Sequence, residues 1–247
     1  RKCTMAPDLL ILAATSFEVS GFLERCRSVT EQTNRFGRQR YACRSGSMAV
    51  DILVTGIGCF NTVQALTAYL EVRSPGMIVQ AGIAGIFRQN GMDIGGLAVA
   101  DSERYLHSGV TDRGDRKENS PLPFDLIDGC TSTREGKYLL DPEFSDAFYR
   151  SLTSRAGASG VDIRKGRILT VSAITGTFEA ADRIYALHAP LMEAMEGAAA
   201  AHTAQLYNMP VAEIRAGSNF VGERDKSKWD IDLALERLGW ALATLLI

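Results

Sequence analysis

A chain of 247 residues, 46% apolar and 23% charged, has the make-up of an ordinary globular protein with one large domain or two small ones. Its net charge of −2 gives no basic surface for a nucleic acid, and its longest apolar runs, over 8–14 and 198–201, fall well short of the ~20 residues a membrane helix needs. Given these short runs no membrane partner is expected, and no charged-then-apolar leader is visible in a sequence that begins at Arg1. Five scattered cysteines (Cys3, Cys26, Cys43, Cys59, Cys130) never form Cys-x-x-Cys, which points to reduced thiols and a cytoplasmic setting. His107, His188 and His202 lack metal-ligand spacing, and no metal or organic cofactor is expected.

In chain order, Leu9-Leu10-Ile11-Leu12-Ala13-Ala14 is a continuous apolar run, the mark of a strand buried on both faces. Thr15 or Ser16 can cap a helix beginning near Phe17-Glu18-Val19. Arg40–Arg44 and Met48–Thr55 read as strands joined through Ser45-Gly46-Ser47. Gly56-Ile57-Gly58 turns the chain into a helix over 61–72. A third glycine would complete a dinucleotide fingerprint, but Asn61 stands in its place, so the turn reads as a tight strand-to-helix connection. Met77–Ala81 reads as a buried strand ending at Gly82-Ile83-Ala84-Gly85, and Leu97–Tyr105 as another. The polar stretch 108–120 reads as a loop, Pro142–Leu152 as a helix and Arg167–Ala173 as a strand. Thr177 is placed to cap a helix over 179–187, and Asp230 to start an amphipathic closing helix. No repeat, low-complexity tract or linker interrupts this alternation. Residues 1–247 are therefore expected to form a single α/β domain, a mixed central β-sheet flanked by helices.

The densest information lies between Leu191 and Ile231. Met195-Glu196-Gly197 leads into four alanines, which favour helix and let it lie close to a sheet. Pro210 ends that element. Val211–Ala216 then reads as a strand broken at its carboxyl end by Gly217-Ser218-Asn219, the end at which open α/β sheets bind ligands. Glu196 and Asn219 are thus expected to face one pocket. Met195-Glu196-Gly197-Ala198-Ala199, followed by Arg215-Ala216-Gly217-Ser218-Asn219, resembles the nucleoside phosphorylase/nucleosidase family. The methylthioadenosine/adenosylhomocysteine nucleosidases of that family end the second motif in Asp. The ending Ser-Asn-Phe-Val-Gly-Glu-Arg-Asp with Trp229-Asp230-Ile231 is most similar to the futalosine hydrolases of menaquinone biosynthesis. The resemblance spans nearly the whole chain and is strongest after Arg167.

That resemblance implies a phosphorylase-like fold, cleavage of a purine nucleoside at its N-glycosidic bond, and association into a homo-oligomer. The apolar face of the closing helix (Leu238, Trp240, Leu242, Leu245) is compatible with the last. Glu18 aligns with the glutamate that orients and deprotonates water in the nucleosidases; by itself, a helix-opening glutamate is favourable charge at the dipole. Glu196, in an apolar setting, needs hydrogen-bond donors, and its aligned role is to hold the ribose hydroxyls. Ala194 stands where these nucleosidases often carry a second acid, and Glu193 is given no role. Ala84, Gly85, Ile174 and Met195 align with residues on the nucleoside. Ala173 replaces a common stacking aromatic, which leaves Phe178 or Phe220 to stack on the base.

Gln80 occupies the place of the phosphate-binding arginine in the family's hexameric phosphorylases. It lacks the charged fork that grips an oxyanion, and so favours water as the attacking species, although Arg38, Arg40 or Arg44 can still supply charge. Asn219 bears on the base. Its oxygen can accept from a protonated N7 while its nitrogen donates to O6 of a 6-oxopurine, whereas adenine offers an amino donor there. As a turn residue, Asn219 has a structural explanation too. With the resemblance to the futalosine hydrolases, this implies hypoxanthine, the base of futalosine, as the expected leaving group. Arg224, Lys228, Arg104 and the loop carrying Arg113 and Arg116 compete for the carboxylate of futalosine's tail. Phe124 is a candidate for its ring, in a neighbouring subunit as in related dimers. A nucleophilic Cys59 beside the glycine turn is the remaining alternative chemistry.

Overall fold

Alternate residues of Leu9–Ala13 (β1) enter opposite cores, as a strand buried on both faces requires. Leu10 and Leu12 join Leu66 of one helix and Ala200 of another. Leu9, Ile11 and Ala13 meet Phe22, Phe148 and Leu238 from three helices on the other face. This three-layer arrangement comes from a computed structural model that describes residues 6–34, 37–111, 119–157 and 160–245. The first side carries α2 (Cys59–Leu70) and α5 (Gly197–Leu206); the second carries α1 (Phe17–Leu23), α3 (Pro142–Ala156) and α6 (Ile231–Thr244). A smaller cluster beneath α4 (Phe178–His188) joins Phe87, Leu169, Ala181 and Val221. Among the described residues, no helix is long and apolar enough to cross a membrane.

One mixed sheet holds all the strands of the described residues. Besides β1 they are β2 (Arg27–Thr33), β3 (Gln39–Ser45), β4 (Met48–Val54), β5 (Met77–Ile86), β6 (Leu97–Tyr105), β7 (Lys137–Leu139), β8 (Ile163–Thr170), β9 (Met192–Ala194) and β10 (Val211–Phe220). The strand β5 bonds to three neighbours: β1 along 77–80, β10 along 78–86 and β9 at Gly85 and Ile86. Because β9 pairs with β8, β8 with β6 and β6 with β10, these five strands close a ring, and β1, β4, β3 and β2 extend from it. At the fork where β5 leaves β1 for β9, a crevice opens beyond the strands' carboxyl ends, the general ligand position in such sheets.

Several expectations are corrected here. The segment Gly82–Gly85 does not end the strand but continues it, because its small residues are needed for space: a Cβ on Gly82 would collide with the Arg215 guanidinium and the Glu18 carboxylate. Ser218 and Asn219 likewise stay in β10, which accommodates them through a register shift between Gly217 and Asn219. Strand β8 starts and ends before the expected 167–173. The strands β2, β7 and β9 carry no legible periodicity; β2 is exposed along its whole length. Neither Thr15 nor Ser16 caps α1 with its side chain; Thr15 instead donates its N–H and hydroxyl to Glu18 Oε2 at 3.0 and 3.3 Å. The caps at Thr177 and Asp230 are made as expected, by bonds from Ala180 N–H and Leu233 N–H. In α6, Leu238 and Leu242 are fully buried within the chain's own core, so that face is not free for a second copy.

Candidate active site

The loop that leaves β1 and the first turn of α1 bring Glu18 to the fork. Its Oε1 accepts from Ile83 N–H of β5 at 3.0 Å, while Oε2 takes the two Thr15 donors. These bonds use three of a carboxylate's roughly four lone-pair sites and leave one. Burial pushes the Glu18 carboxyl above its usual range, against the opposing pull of Arg215.

Glu196 sits between β9 and α5. The glycine turn after β4 delivers Gly58 N–H to its Oε1 at 2.9 Å, and Arg215 Nη1 of β10 donates to Oε2 at 3.1 Å. Met195 N–H adds a longer bond at 3.3 Å. Protein donors therefore satisfy most of this buried carboxylate, and its burial does not require a sugar. Again one lone-pair site remains. The glycine turn that sequence reasoning reads as a mere connection is a direct partner of the acid. Arg215, which the sequence shows only as part of a motif, is 1% exposed, and its Nε also donates to Glu213 Oε1 at 2.8 Å. Burial works against its charge, but Glu213, Glu196 and Glu18 outweigh that and hold the guanidinium firmly protonated.

Asn219 projects from the shifted end of β10. Its Oδ1 accepts from Ser218 Oγ at 2.9 Å and its Nδ2 donates to Phe220 O at 3.0 Å. One amide hydrogen and one lone pair stay available. Glu18, Glu196 and Asn219 all line one cavity of about 550 Å³, with Ala84, Gly85, Ile174 and Met195 in its wall. Such a volume suits a ligand of nucleoside size or larger.

Phe220 and Phe178 are not in that wall. The Phe220 ring packs against the core, and the Arg88 guanidinium sits 4.6 Å from the centre of the Phe178 ring. The aromatic walls are Phe17 and Trp229, which sequence reasoning missed for this role. Glu193 is a third acid in the cavity that it set aside. Thr175 donates both its N–H and its hydroxyl to Glu193, and burial raises that carboxyl despite these bonds.

Among the described residues the cation in the wall is Arg224, whose guanidinium lies 5.4 Å from the Trp229 ring centre. Lys228 pairs outside with Glu223 at 2.9 Å, and Arg104 lies 4.0 Å from Glu135. Phe124 is exposed outside the wall. Arg113 and Arg116 fall outside the described residues. Gln80 is buried behind the wall and donates to Ala81 O at 3.2 Å. Arg38, Arg40 and Arg44 bond Asn61, Asp51 and Ser47 O and are not part of the cavity wall. Burial pushes the Cys59 thiol up to about 11, and its Sγ bonds Met195 O at 3.4 Å, a poor setting for a nucleophile.

The sequence pattern of the phosphorylase superfamily matches residues 8–246. A futalosine hydrolase from Acidothermus cellulolyticus is 33% identical over 196 residues, covering 79% of this chain and 74% of that protein. A futalosine hydrolase from Streptomyces coelicolor is 34% identical, covering 79% and 77%. In three dimensions, the 5′-methylthioadenosine/S-adenosylhomocysteine nucleosidase of Neisseria meningitidis, solved with methylthio-immucillin-A, superposes with a TM-score of 0.81 over 96% of this chain and 97% of that one. At 16% identity that likeness speaks for the fold.

Proposed function

The chain belongs to the phosphorylase superfamily and, within it, to the family of the futalosine hydrolases, and on that premise we propose that it hydrolyses the N-glycosidic bond of futalosine. The products are hypoxanthine and dehypoxanthine futalosine, which gives the enzyme a step in menaquinone biosynthesis. The observation that carries this reading is the convergence of Glu18, Glu196 and Asn219 on one cavity; we assign the Asn219 amide to the base, where the resemblance puts an acid in the adenine-type nucleosidases.

Cleavage passes through an oxocarbenium-like state. As the C1′–N9 bond breaks, its electrons move onto the purine, which takes a proton from solvent at N7. Asn219 accepts from that N7–H with its free lone pair and donates to O6 with its free amide hydrogen, stabilising the charge where it develops. Glu196 accepts from a ribose hydroxyl, and its negative charge lies under the developing cation. Water adds to C1′ and passes its proton to Glu18. A buried carboxyl with a raised pKa is a better base near neutral pH than an exposed one.

Water is favoured over phosphate because Gln80 is uncharged and faces Ala81 O rather than the cavity. The tail carboxylate is assigned to Arg224, stacked on Trp229. Association into a homo-oligomer is assigned to the start of α2, where Ile57, Phe60 and Val63 are 57%, 92% and 38% exposed and Ile57 also lines the cavity.

Incubation with futalosine, inosine and methylthioadenosine, each with and without phosphate, tests the reading. Phosphate-independent release of hypoxanthine from futalosine is the expected result. Ribose 1-phosphate formation would make the protein a 6-oxopurine nucleoside phosphorylase, and preferred cleavage of methylthioadenosine an adenine-type nucleosidase.

A further inference from the structure

The buried acids outnumber their cation. Glu18, Glu196, Glu213 and Glu103 are each under 9% exposed and all act electrostatically on Arg215 or are acted on by it. The reaction outlined above uses two of them. The other two occupy adjoining strands behind the cavity, Glu103 on β6 and Glu213 on β10, and are 0% and 1% exposed. Each has one oxygen in a hydrogen bond: Glu103 Oε2 accepts from Thr170 Oγ1 at 2.7 Å, and Glu213 Oε1 accepts from Arg215 Nε at 2.8 Å. Each other oxygen, Glu103 Oε1 and Glu213 Oε2, has no donor. Those two oxygens converge on one point: a Cβ added to Gly197 would collide with both.

Two ionised carboxylates cannot stay together in a dry interior, and a buried acceptor without a donor is destabilising. One proton between them removes both penalties, because a neutral acid donates to its ionised neighbour in a short, charge-assisted bond. The charged groups facing Glu103 are Glu213 and Arg215. Burial first, and then Glu213, pushes the Glu103 carboxyl well above the usual range.

We propose that Glu103 and Glu213 share a single proton over Gly197, and that this pair is a positioning device that keeps Arg215 aimed at Glu196. Its role in turnover rests on the assignment of Glu196 to the ribose; the shared proton does not. With Glu103 neutral, Glu213 holds the Nε edge of Arg215, so the guanidinium presents Nη1 to Glu196 in a fixed direction. With Glu103 ionised, two negative charges compete for that arginine and draw it away from Glu196. Gly197 opens α5 because the pair occupies the space of a side chain.

The test compares wild type with Glu103→Gln and Glu103→Leu. Glutamine can donate to Glu213 as the neutral acid does; leucine cannot. In infrared difference spectra at neutral pH, wild type should show the carbonyl stretch of a neutral carboxylic acid, and Glu103→Gln should lose it. On the nucleoside that wild type cleaves best, Glu103→Gln should keep kcat within about fivefold, and Glu103→Leu should lose about a hundredfold in kcat with little change in KM. Wild type should lose activity at alkaline pH on an additional limb that Glu103→Gln lacks. No infrared band lost on Glu103→Gln would overturn the shared proton, and equal kcat for the two variants would overturn the positioning role. Should Glu103→Leu not fold, the spectra and the two remaining pH profiles decide. A wild type that cleaves no nucleoside would sink the functional reading, while the infrared result would still judge the pair.

Discussion

Replacing Glu18 by Gln keeps the side chain's size and removes its ability to take a proton. The structure separates what this does to folding from what it does to the reaction. Both Glu18 oxygens accept a backbone N–H, from Ile83 and from Thr15, each at 3.0 Å. An amide has one oxygen, so one of these donors must face an NH₂ group and lose its bond. The loss of a buried partner costs about 1–3 kcal/mol of stability. The loss of a general base costs about 10²–10⁴ in rate, or about 3–5.5 kcal/mol of barrier. The variant should therefore melt modestly earlier, still bind hypoxanthine measured by calorimetry, and show kcat reduced by at least a hundredfold. In wild type, kcat/KM should rise with pH through a value above the usual glutamate range, because burial raises this carboxyl. The sign for stability is opposite. A native state that holds this proton longer than the unfolded chain loses stability as pH rises from the ordinary glutamate value to the raised one, and Glu18→Gln should flatten that slope. A variant that keeps kcat within tenfold of wild type would refute Glu18 as the base.

Asn219→Asp should move preference from 6-oxopurine towards 6-aminopurine nucleosides by at least about tenfold in relative kcat/KM, since it replaces a donor with an acceptor; an unchanged preference in the same substrate panel would remove the basis for the base assignment. Arg224→Ala should raise KM for futalosine with kcat little changed and leave inosine unaffected, the pattern of lost uniform binding; equal effects on both substrates would detach Arg224 from the tail. Phe60→Asp should lower the sedimenting mass without lowering the melting temperature, and a wild type already monomeric at micromolar concentration would end that proposal.

The buried strands and most helices are legible in the sequence, because continuous apolar runs and 3.6-residue spacing report directly on burial. What escapes has physical causes. The strand β2 presents Arg27, Thr30, Glu31 and Gln32 to solvent, and only its pairing with β3 makes it a strand. The segment Gly82–Gly85 reads as a turn because glycine breaks most strands, yet here it is required by the closeness of Arg215 and Glu18, which lie 133 and 64 residues away in sequence. Asn219 reads as a turn residue for the same reason and is held in a strand by a register shift. Glu18, Glu196 and Asn219 could be picked out from motifs and do meet in one cavity. The ion network behind them could not, since Glu103 and Glu213 look like unremarkable polar positions in strands until the ring of strands brings them together.

That ring constrains how the protein can be altered. The floor of the cavity is a strand stitched to neighbours on both sides, so no part of it can slide without unzipping a ladder elsewhere. Redesign for a different nucleoside has to proceed by exchanging rim groups such as Ile174, Arg224 and Trp229, while the bed on which the sugar would rest stays where the backbone has put it.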